Sequence, residues 1–223
     1  MADFINTIDL LGDDVVVKSI IARNITEFND DVLQKIGEHS FQNSQKLVSV
    51  NLPNVTFVGD YGFYGCKALA TVNFPKVTQV SHYAFYGCTS LTSVNLPSWN
   101  TNYTSSNVFE NCSSLQSIDF PVGILGLYVF RGCSALKTVI LRKESVCSLS
   151  LVDTFANTPF ASSGTGGTLL VPRSLTASYQ TATNWSSIFS GNANNRVLAL
   201  EDYTIDGTIT GEIDWDKLNG GTT

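Results

Sequence analysis

Residues 80–97, VSHYAFYGCTSLTSVNLP, contain a pattern of apolar residues that recurs along the chain and decides the fold. Phe85 is followed by Cys after three residues, Leu after six, Val after nine, Leu after eleven and Pro after twelve. Similar offsets recur around equivalent phenylalanines spaced 22, 22, 24, 21 and 25 residues apart, namely Phe41, Phe63, Phe85, Phe109, Phe130 and Phe155. So many coincident positions establish an internal repeat.

The repeat predicts a solenoid, because a unit of this length cannot bury its own apolar side without neighbours. The segment Leu-x-x-Val-x-Leu-Pro predicts a short strand with Val50 and Leu52 inward and Ser49 and Asn51 outward. The residues before each Phe predict one or two helical turns, and a Gly or Asn two residues after it predicts a left-handed corner. We therefore expect an α/β, strand-dominated repeat solenoid of about five to six coils with a parallel strand ladder.

Composition excludes several classes of protein. Charged residues make up 14% of the 223 residues and the net charge is −6, which argues against nucleic acid as a partner. No run of 18 apolar residues exists, so we expect no membrane insertion. The start, MADFINTIDLLGDD, lacks the basic and apolar regions of a secretory signal, so we expect the chain to remain in the cytoplasm that made it.

The quoted residues resemble the BspA-type leucine-rich repeat, whose unit runs C-x-x-L-x-x-I-x-L-P and then I-G-x-x-A-F-x-x-C. SIIARNITEFNDDVLQKIGEHSF (19–41) is similar to the leading cap of phage-encoded members, and GGTLLVPRSLTASYQTATNWSSIF (166–189) to their closing strand and helix. SSGTGG (162–167) predicts a flexible junction before that cap. The expected division is an N-terminal cap or attachment segment (1–33), a leucine-rich repeat solenoid (34–165), a C-terminal cap (166–203) and an acidic tail (204–223).

Catalysis and metal binding find no support in the pattern, so we expect no enzyme, no cofactor and no metal. His39 and His82 carry no nucleophile signature around them. Cysteines at one repeat position predict a column of buried thiols rather than converging metal ligands, with disulfides or a metal as less favoured alternatives. The expected structural ladder comprises Phe41, Phe63, Phe85, Phe109, Phe130, Cys66, Cys88, Cys112 and Cys133.

Binding candidates are polar or aromatic residues at solvent-facing repeat positions. Trp99 and Tyr103 lie on an irregular loop, where function often resides, although Trp99 would also serve to cap the core. The other candidates form ladders that either bind a ligand or brace adjacent coils: Asn51, Asn73, Asn95, Asp119, Tyr61, Tyr83, Tyr64 and Tyr86.

The resemblance implies a non-enzymatic interaction module. Because neither a signal nor an anchor is visible, the first expectation is a phage tail or baseplate-associated virion protein that engages the host surface, protein or polysaccharide, or another virion component. The alternatives are a bacterial cell-surface adhesin that binds host protein or glycan, and a cytoplasmic protein–protein scaffold. A homo-oligomer within an assembly is compatible with each. The acidic ends lie outside the repeat, so one of them is expected either to attach the module, with residues 2–17 a better candidate than 204–223, or only to cap the solenoid.

Overall fold

The structure is a computed structural model that describes residues 16–17, 25–99 and 105–220. The larger sheet follows the predicted strand segments and contains β2 (Glu27–Asn29), β4 (Ser49–Asn51), β6 (Thr71–Asn73), β8 (Ser93–Asn95), β9 (Ser117–Phe120), β11 (Thr138–Leu141), β13 (Thr168–Val171) and β14 (Arg196–Ala199). Its spatial order is β14-β13-β11-β9-β8-β6-β4-β2, and neighbouring strands pair in parallel. The predicted parallel-strand solenoid is confirmed.

A second set of two-residue strands, which the sequence did not predict, runs along another side of the solenoid. Four form one sheet in the order β1 (Val16–Val17), β3 (Lys35–Ile36), β5 (Phe57–Val58) and β7 (Gln79–Val80), and two form another, β10 (Ile124–Leu125) and β12 (Ser148–Leu149). They pair parallel in equivalent positions, so Ile36, Val58 and Val80 follow one another in register. The coils of β2, β4, β6, β9 and β11 therefore each contribute a longer and a short strand.

The core lies inside the coils and is built from columns of identical positions. The rings of Phe63, Phe85 and Phe109 stack with centroids 5.3 Å apart at each step and interplanar angles of 4° and 10°. Phe41 and Phe130 continue the column at 4.9 and 6.0 Å. All five rings are fully buried, so the phenylalanine column forms the axis around which the coils stack.

The segment before Phe41, Phe63, Phe85, Phe109 and Phe130 forms successive tight turns, and a short helical turn as predicted occurs only before Phe155, over Val152–Phe155. The amides of the tight turns donate to the next coil: the Phe63 N–H bonds to the Ala84 carbonyl at 2.7 Å and the Gly65 N–H to the Tyr86 carbonyl at 2.7 Å. In an α-helix these N–H groups would instead donate to carbonyls four residues earlier in the same chain. Left-handed corners occur at the predicted Gly or Asn, such as Gly65 (φ 67°), and also two residues before Phe, where Tyr61 has φ 57°.

The cysteines are buried, free thiols, and four of them share one contact. Each of these thiols donates to the carbonyl oxygen of the phenylalanine in the preceding coil, with Sγ···O distances of 2.9, 3.1, 3.1 and 3.0 Å for Cys66, Cys88, Cys112 and Cys133. Burial raises the pKa of Cys66 and of Cys147 to about 12. The thiols therefore act as small apolar side chains that also bridge adjacent coils.

The C-terminal end of the solenoid is closed by β13, β14 and two helices, α1 (Thr176–Thr181) and α2 (Trp185–Gly191). Tyr179 and Trp185 are fully buried, and both form a hydrogen bond with the backbone of Cys147 in the last coil. The Cys147 N–H donates to the Tyr179 hydroxyl at 2.7 Å, and the Trp185 indole N–H donates to the Cys147 carbonyl at 2.8 Å. Short 3-10 turns cover Val152–Phe155, Arg173–Leu175 and Leu200–Asp202.

The junction at 162–167, for which the sequence predicts flexibility, is hydrogen-bonded to the C-terminal cap. The Asn192 side-chain amide is buried and donates to the carbonyls of Pro159, Ala161 and Gly164 at 3.2, 2.8 and 3.1 Å. The Asn195 carbonyl oxygen accepts from the Gly167 N–H at 2.8 Å. Asparagine amides thus satisfy the backbone groups that an irregular glycine-rich loop leaves unpaired.

The acidic tail folds back onto the outer face of the larger sheet. Ile213 and Leu218, the latter in α3 (Trp215–Leu218), form a second apolar cluster with Ile140, Leu170 and Leu200. Ile140 occupies the position that carries Asn in the earlier coils, which explains why the outer face is apolar here. The proposed attachment segment 2–17 lies, except for Val16–Val17, outside the described residues and stays a prediction.

Arg142 fastens the tail to the solenoid. Its guanidinium makes two 2.7 Å hydrogen bonds to the Asp119 carboxylate and donates to the carbonyls of Ile209 and Gly211 at 2.6 and 3.0 Å. Arg142 replaces the proline of the repeat, so the break in the pattern marks this contact.

We expect Arg142→Met to lower the free energy needed to open the tail by about 1.5–3 kcal/mol, because hydrogen bonds to a charged donor are lost. The measurement is hydrogen–deuterium exchange of the amides in 204–218. The matched control is Arg173→Met, whose ion pair with Asp202 is 60% and 50% exposed at its two side chains and should contribute little. Equal exchange in both variants would contradict the role assigned to Arg142.

Candidate functional site

The asparagine ladder, Asn51, Asn73 and Asn95, lies on the outer face of the larger sheet and connects adjacent coils. Asn51, Asn73 and Asn95 are exposed and in register. The Asn73 amide donates to the Asn51 side-chain oxygen at 2.9 Å, and the Asp119 carboxylate is bound by Arg142. These contacts between coils favour the bracing interpretation for this face.

Trp99 lies inside the solenoid, so its ring is not available to a ligand. It is 3% exposed, and its ring centroid lies 5.3 Å from that of Phe120 and 6.0 Å from that of Phe109. The wider coil leaves room near the phenylalanine column, and the indole fills it. Tyr103 lies outside the described residues.

The predicted tyrosines come together on the turn side of the solenoid, where they form two columns that we call the tyrosine ladder. The first column is His39, Tyr61 and Tyr83, with ring centroids 4.9 and 5.0 Å apart and planes within 5°. The second is Tyr64 and Tyr86, stacked at 4.9 Å. Because each ring covers the face of the next, the ladder presents ring edges and hydroxyls to solvent.

The ladder is interrupted after Tyr83 and Tyr86, and we call the interruption the notch. In the next coil the equivalent positions hold Asn107 and Glu110, and in the coil after that Tyr128 and Arg131. Backbone hydrogen bonds fix this register: the Gly87 N–H donates to the Glu110 carbonyl at 2.8 Å, and the Asn111 N–H donates to the Arg131 carbonyl at 2.8 Å. The notch is thus bounded by aromatic residues along the solenoid and floored by an amide and a carboxylate.

The backbone at the notch is the same as elsewhere in the ladder. Asn107 has φ 60°, while Tyr83 and Tyr128 both have φ 57°. The missing ring therefore reflects the side chain alone and not a distorted coil. This left-handed conformation costs asparagine less than most residues, and tyrosine adopts it twice beside the notch.

The polar groups of the notch bond to one another. The Asn107 amide donates to the Glu110 carboxylate, and an Arg131 guanidinium nitrogen lies 3.8 Å from a carboxylate oxygen of Glu110. The Arg131 guanidinium carbon lies 5.3 Å from the centroid of the Tyr128 ring, within cation–π range. The Glu110 side chain is 10% exposed, so its charge is held in place and largely compensated.

An open groove of about 660 Å³ runs from the tyrosine ladder across the notch. Partial desolvation raises the pKa of the Tyr83 hydroxyl, and Tyr61 and Glu110 add to the shift. The phenol therefore remains protonated at neutral pH and both donates and accepts hydrogen bonds. The groove is lined by Tyr61, Tyr64, His82, Tyr83, Tyr86, Ser106, Asn107, Glu110, Leu127, Tyr128 and Arg131.

The sequence predicted four of the groove's tyrosines and missed the residues that make the notch. Asn107, Glu110 and Arg131 share repeat positions with tyrosines, so the signal was the break in each column rather than its continuity. A search for similar residues at equivalent positions passes over such a break.

Within 25–99 and 105–220, no group of three His, Cys, Asp or Glu side chains is arranged to hold a metal ion. In the same part of the chain, no helix combines the length and apolarity needed to cross a membrane.

A family model described as the BspA type leucine-rich repeat region matches residues 22–137 in six copies. The match covers more than half of the 223 residues. The chain belongs to the BspA-type leucine-rich repeat family. The matched residues of this chain include the tyrosine ladder and the notch. No curated protein matches the chain.

Solved structures of bacterial leucine-rich repeat proteins share the fold. A protein from Bacteroides ovatus matches with a TM-score of 0.57 at 23% identity, covering 78% of this chain and 42% of that one. A T. pallidum protein matches at 0.52 and 20% identity, covering 82% and 91%. A protein from Faecalibacterium prausnitzii, named a leucine rich cell surface protein, matches at 0.50 and 18%, covering 81% and 49%. This chain spans less than half of the Bacteroides relative's length.

Proposed function

We propose that this protein is a non-enzymatic recognition module that binds a cell-surface component through its turn side. The observation that carries the proposal is the groove over the tyrosine ladder. It combines amphipathic rings, which give large contact area at low entropic cost, with fixed polar groups that set orientation. A repeat solenoid presents such a surface over several coils.

The outer face of the larger sheet is less suited to this role. Asn73 bonds to Asn51 across coils, and the C-terminal end of this face is covered by the tail through Ile213 and Leu218. The tyrosine rings of the ladder, in contrast, are partly exposed in two successive coils. The turn side therefore offers aromatic contact area that the asparagines of the sheet face lack.

A location at the cell surface is supported by the solved relatives. The Faecalibacterium protein carries a cell-surface name, and the relatives described above are bacterial. They favour the adhesin alternative over the virion setting, which stays a prediction from the sequence. In both settings the chemistry required of this chain is the same, since each demands a surface that recognises an envelope component.

The test is binding of fluorescently labelled protein to three kinds of intact cell: a Gram-positive bacterium, a Gram-negative bacterium and a human epithelial line. The variant is Tyr64→Gln with Tyr86→Gln, because glutamine occupies this repeat position at Gln42. We expect cell binding to fall roughly tenfold or more, as two aromatic contacts are lost.

The matched control is Asn73→Ser with Asn95→Ser on the sheet face, which should change binding less than twofold. Circular dichroism checks that both proteins are folded. Loss of binding in the asparagine variant with normal binding in the tyrosine variant would assign recognition to the sheet face. Absence of binding to all three kinds of cell would refute surface recognition.

A further inference from the structure

We infer that the notch is a subsite for one pyranose ring of a neutral glycan, an inference that rests on the proposed function and names its ligand class. One position of the tyrosine ladder holds no aromatic ring. Ring positions before and after the notch are filled by Tyr83 and Tyr128, and the intervening position holds Asn107. Neighbouring rings in the ladder lie 5.0 Å apart. Skipping one position therefore leaves roughly 10 Å, twice the strand spacing, between ring planes.

The walls of the notch suit an object with apolar faces. On one side the Tyr83 ring has no ring from the next coil to cover it, because Asn107 stands there. On the other side lies the Tyr128 ring, with the Arg131 guanidinium carbon 5.3 Å from its centroid. A sugar ring is such an object, since its axial C–H groups form flat apolar faces that pack on aromatic rings.

The floor of the notch suits the hydroxyl rim of a sugar. Glu110 supplies a carboxylate acceptor, Arg131 supplies guanidinium donors, and the Tyr86 hydroxyl already accepts from the Asn111 amide at 3.0 Å. Closely placed donors and acceptors match adjacent hydroxyls, each of which donates once and accepts. These groups are fixed by one another before a ligand arrives, which reduces the entropy lost on binding.

The charge balance favours a neutral ligand. Glu110 and Arg131 oppose each other at 3.8 Å, so a cation would have to displace Arg131 and an anion would have to displace Glu110. The His82 ring is engaged with the backbone, because its Nδ1 accepts the Ser106 N–H at 3.0 Å. A quaternary ammonium group, which also favours aromatic surroundings, meets a compensated carboxylate instead of a free one.

The experiment is isothermal titration calorimetry of the purified chain with three neutral tetrasaccharides: cellotetraose, N,N′,N″,N‴-tetraacetylchitotetraose and maltotetraose. We expect at least one to bind with a single site. Asn107→Tyr refills the vacancy at a left-handed position that tyrosine already occupies in both flanking coils, and it should weaken binding more than tenfold. Gln42→Tyr, which adds a ring at a ladder position outside the groove, should change affinity less than twofold.

A second variant keeps the size of the floor and changes its charge. Glu110→Gln should weaken sugar binding about three- to tenfold, because a charged acceptor is replaced by a neutral one. Tetramethylammonium chloride serves as the cationic probe and should neither bind nor compete. Binding of this cation that Glu110→Gln abolishes would overturn the sugar assignment in favour of a cation site.

The outcomes separate this inference from the proposed function. If none of the tetrasaccharides binds while cells are still bound and Asn107→Tyr abolishes that binding, the notch recognises a protein and the sugar assignment fails alone. If cells are bound equally by wild type and Asn107→Tyr, the notch is not a subsite. If cells are not bound at all, the proposed function fails, and the calorimetry with tetrasaccharides alone then tests whether the notch binds a sugar.

Discussion

Phe85→Ala is expected to destabilise the protein by about 3–5 kcal/mol, the usual cost of removing a buried phenylalanine ring. Phe85 is fully buried between Phe63 and Phe109, each 5.3 Å away, and also approaches Phe74 at 6.3 Å. Because each coil packs only on its neighbours, the void would weaken both interfaces of this coil. Urea denaturation followed by circular dichroism measures the loss.

The matched control is Val32→Ala, which removes apolar atoms from a residue that is 64% exposed. We expect its free energy of unfolding to stay within about 0.5 kcal/mol of wild type. A loss below about 1 kcal/mol for Phe85→Ala would mean that the stacked column is not the main source of stability.

The second large effect is a steep loss of stability above pH 9. Burial raises the pKa of all five thiols above the ordinary value of 9.0, to about 12 for Cys66 and Cys147. Below pH 9 the thiols are protonated in both folded and unfolded chains, so their contribution is fully present. Above pH 9 the unfolded chain releases protons that the folded chain retains, and stability falls until the folded pKa is reached.

The size of this effect follows from the number of thiols. Each contributes about 1.4 kcal/mol per pH unit, so five contribute roughly 7 kcal/mol per unit once the unfolded thiols are ionised. A typical domain is stable by about 5–15 kcal/mol, and unfolding is therefore expected within about two units above pH 9. Equilibrium urea titrations at pH 8, 9, 9.5 and 10 measure the slope.

The control for this prediction is Cys88→Ser with Cys112→Ser. A serine hydroxyl retains a donor for the phenylalanine carbonyls that these thiols bond at 3.1 Å. Two of five titrating groups are removed, so the slope above pH 9 should fall by about two fifths. A slope unchanged by the double substitution would show that other groups cause the alkaline loss.

The fold was largely predictable because each repeat position repeats one physical requirement. The offsets from Phe85 to Cys88, Leu91, Val94 and Leu96 assigned the inward side chains correctly, and all of them are buried. The turn segments were mistaken for helices because their composition permits one. What prevents a helix is the neighbouring coil, which accepts the N–H groups of residues such as Phe63.

The candidate site was only partly predictable, since the informative residues break the pattern. Trp99 is predicted either to bind a ligand or to cap the core because it lies on an irregular loop, and its burial beside Phe120 supports the capping role. Glu110 and Asn107 were passed over as ordinary variation. Similarly, Arg142 looked like the end of the proline series, and only the folded-back tail reveals its partners, the Ile209 and Gly211 carbonyls.

The measurement that tests the central claim most directly is a crystal structure of the protein grown with the tightest-binding tetrasaccharide. The account predicts one sugar ring in the notch, in van der Waals contact with the Tyr83 and Tyr128 rings and hydrogen-bonded to the Glu110 carboxylate. A sugar bound on the sheet face beside Asn73 and Asn95, or a notch without sugar at saturating concentration, would contradict it.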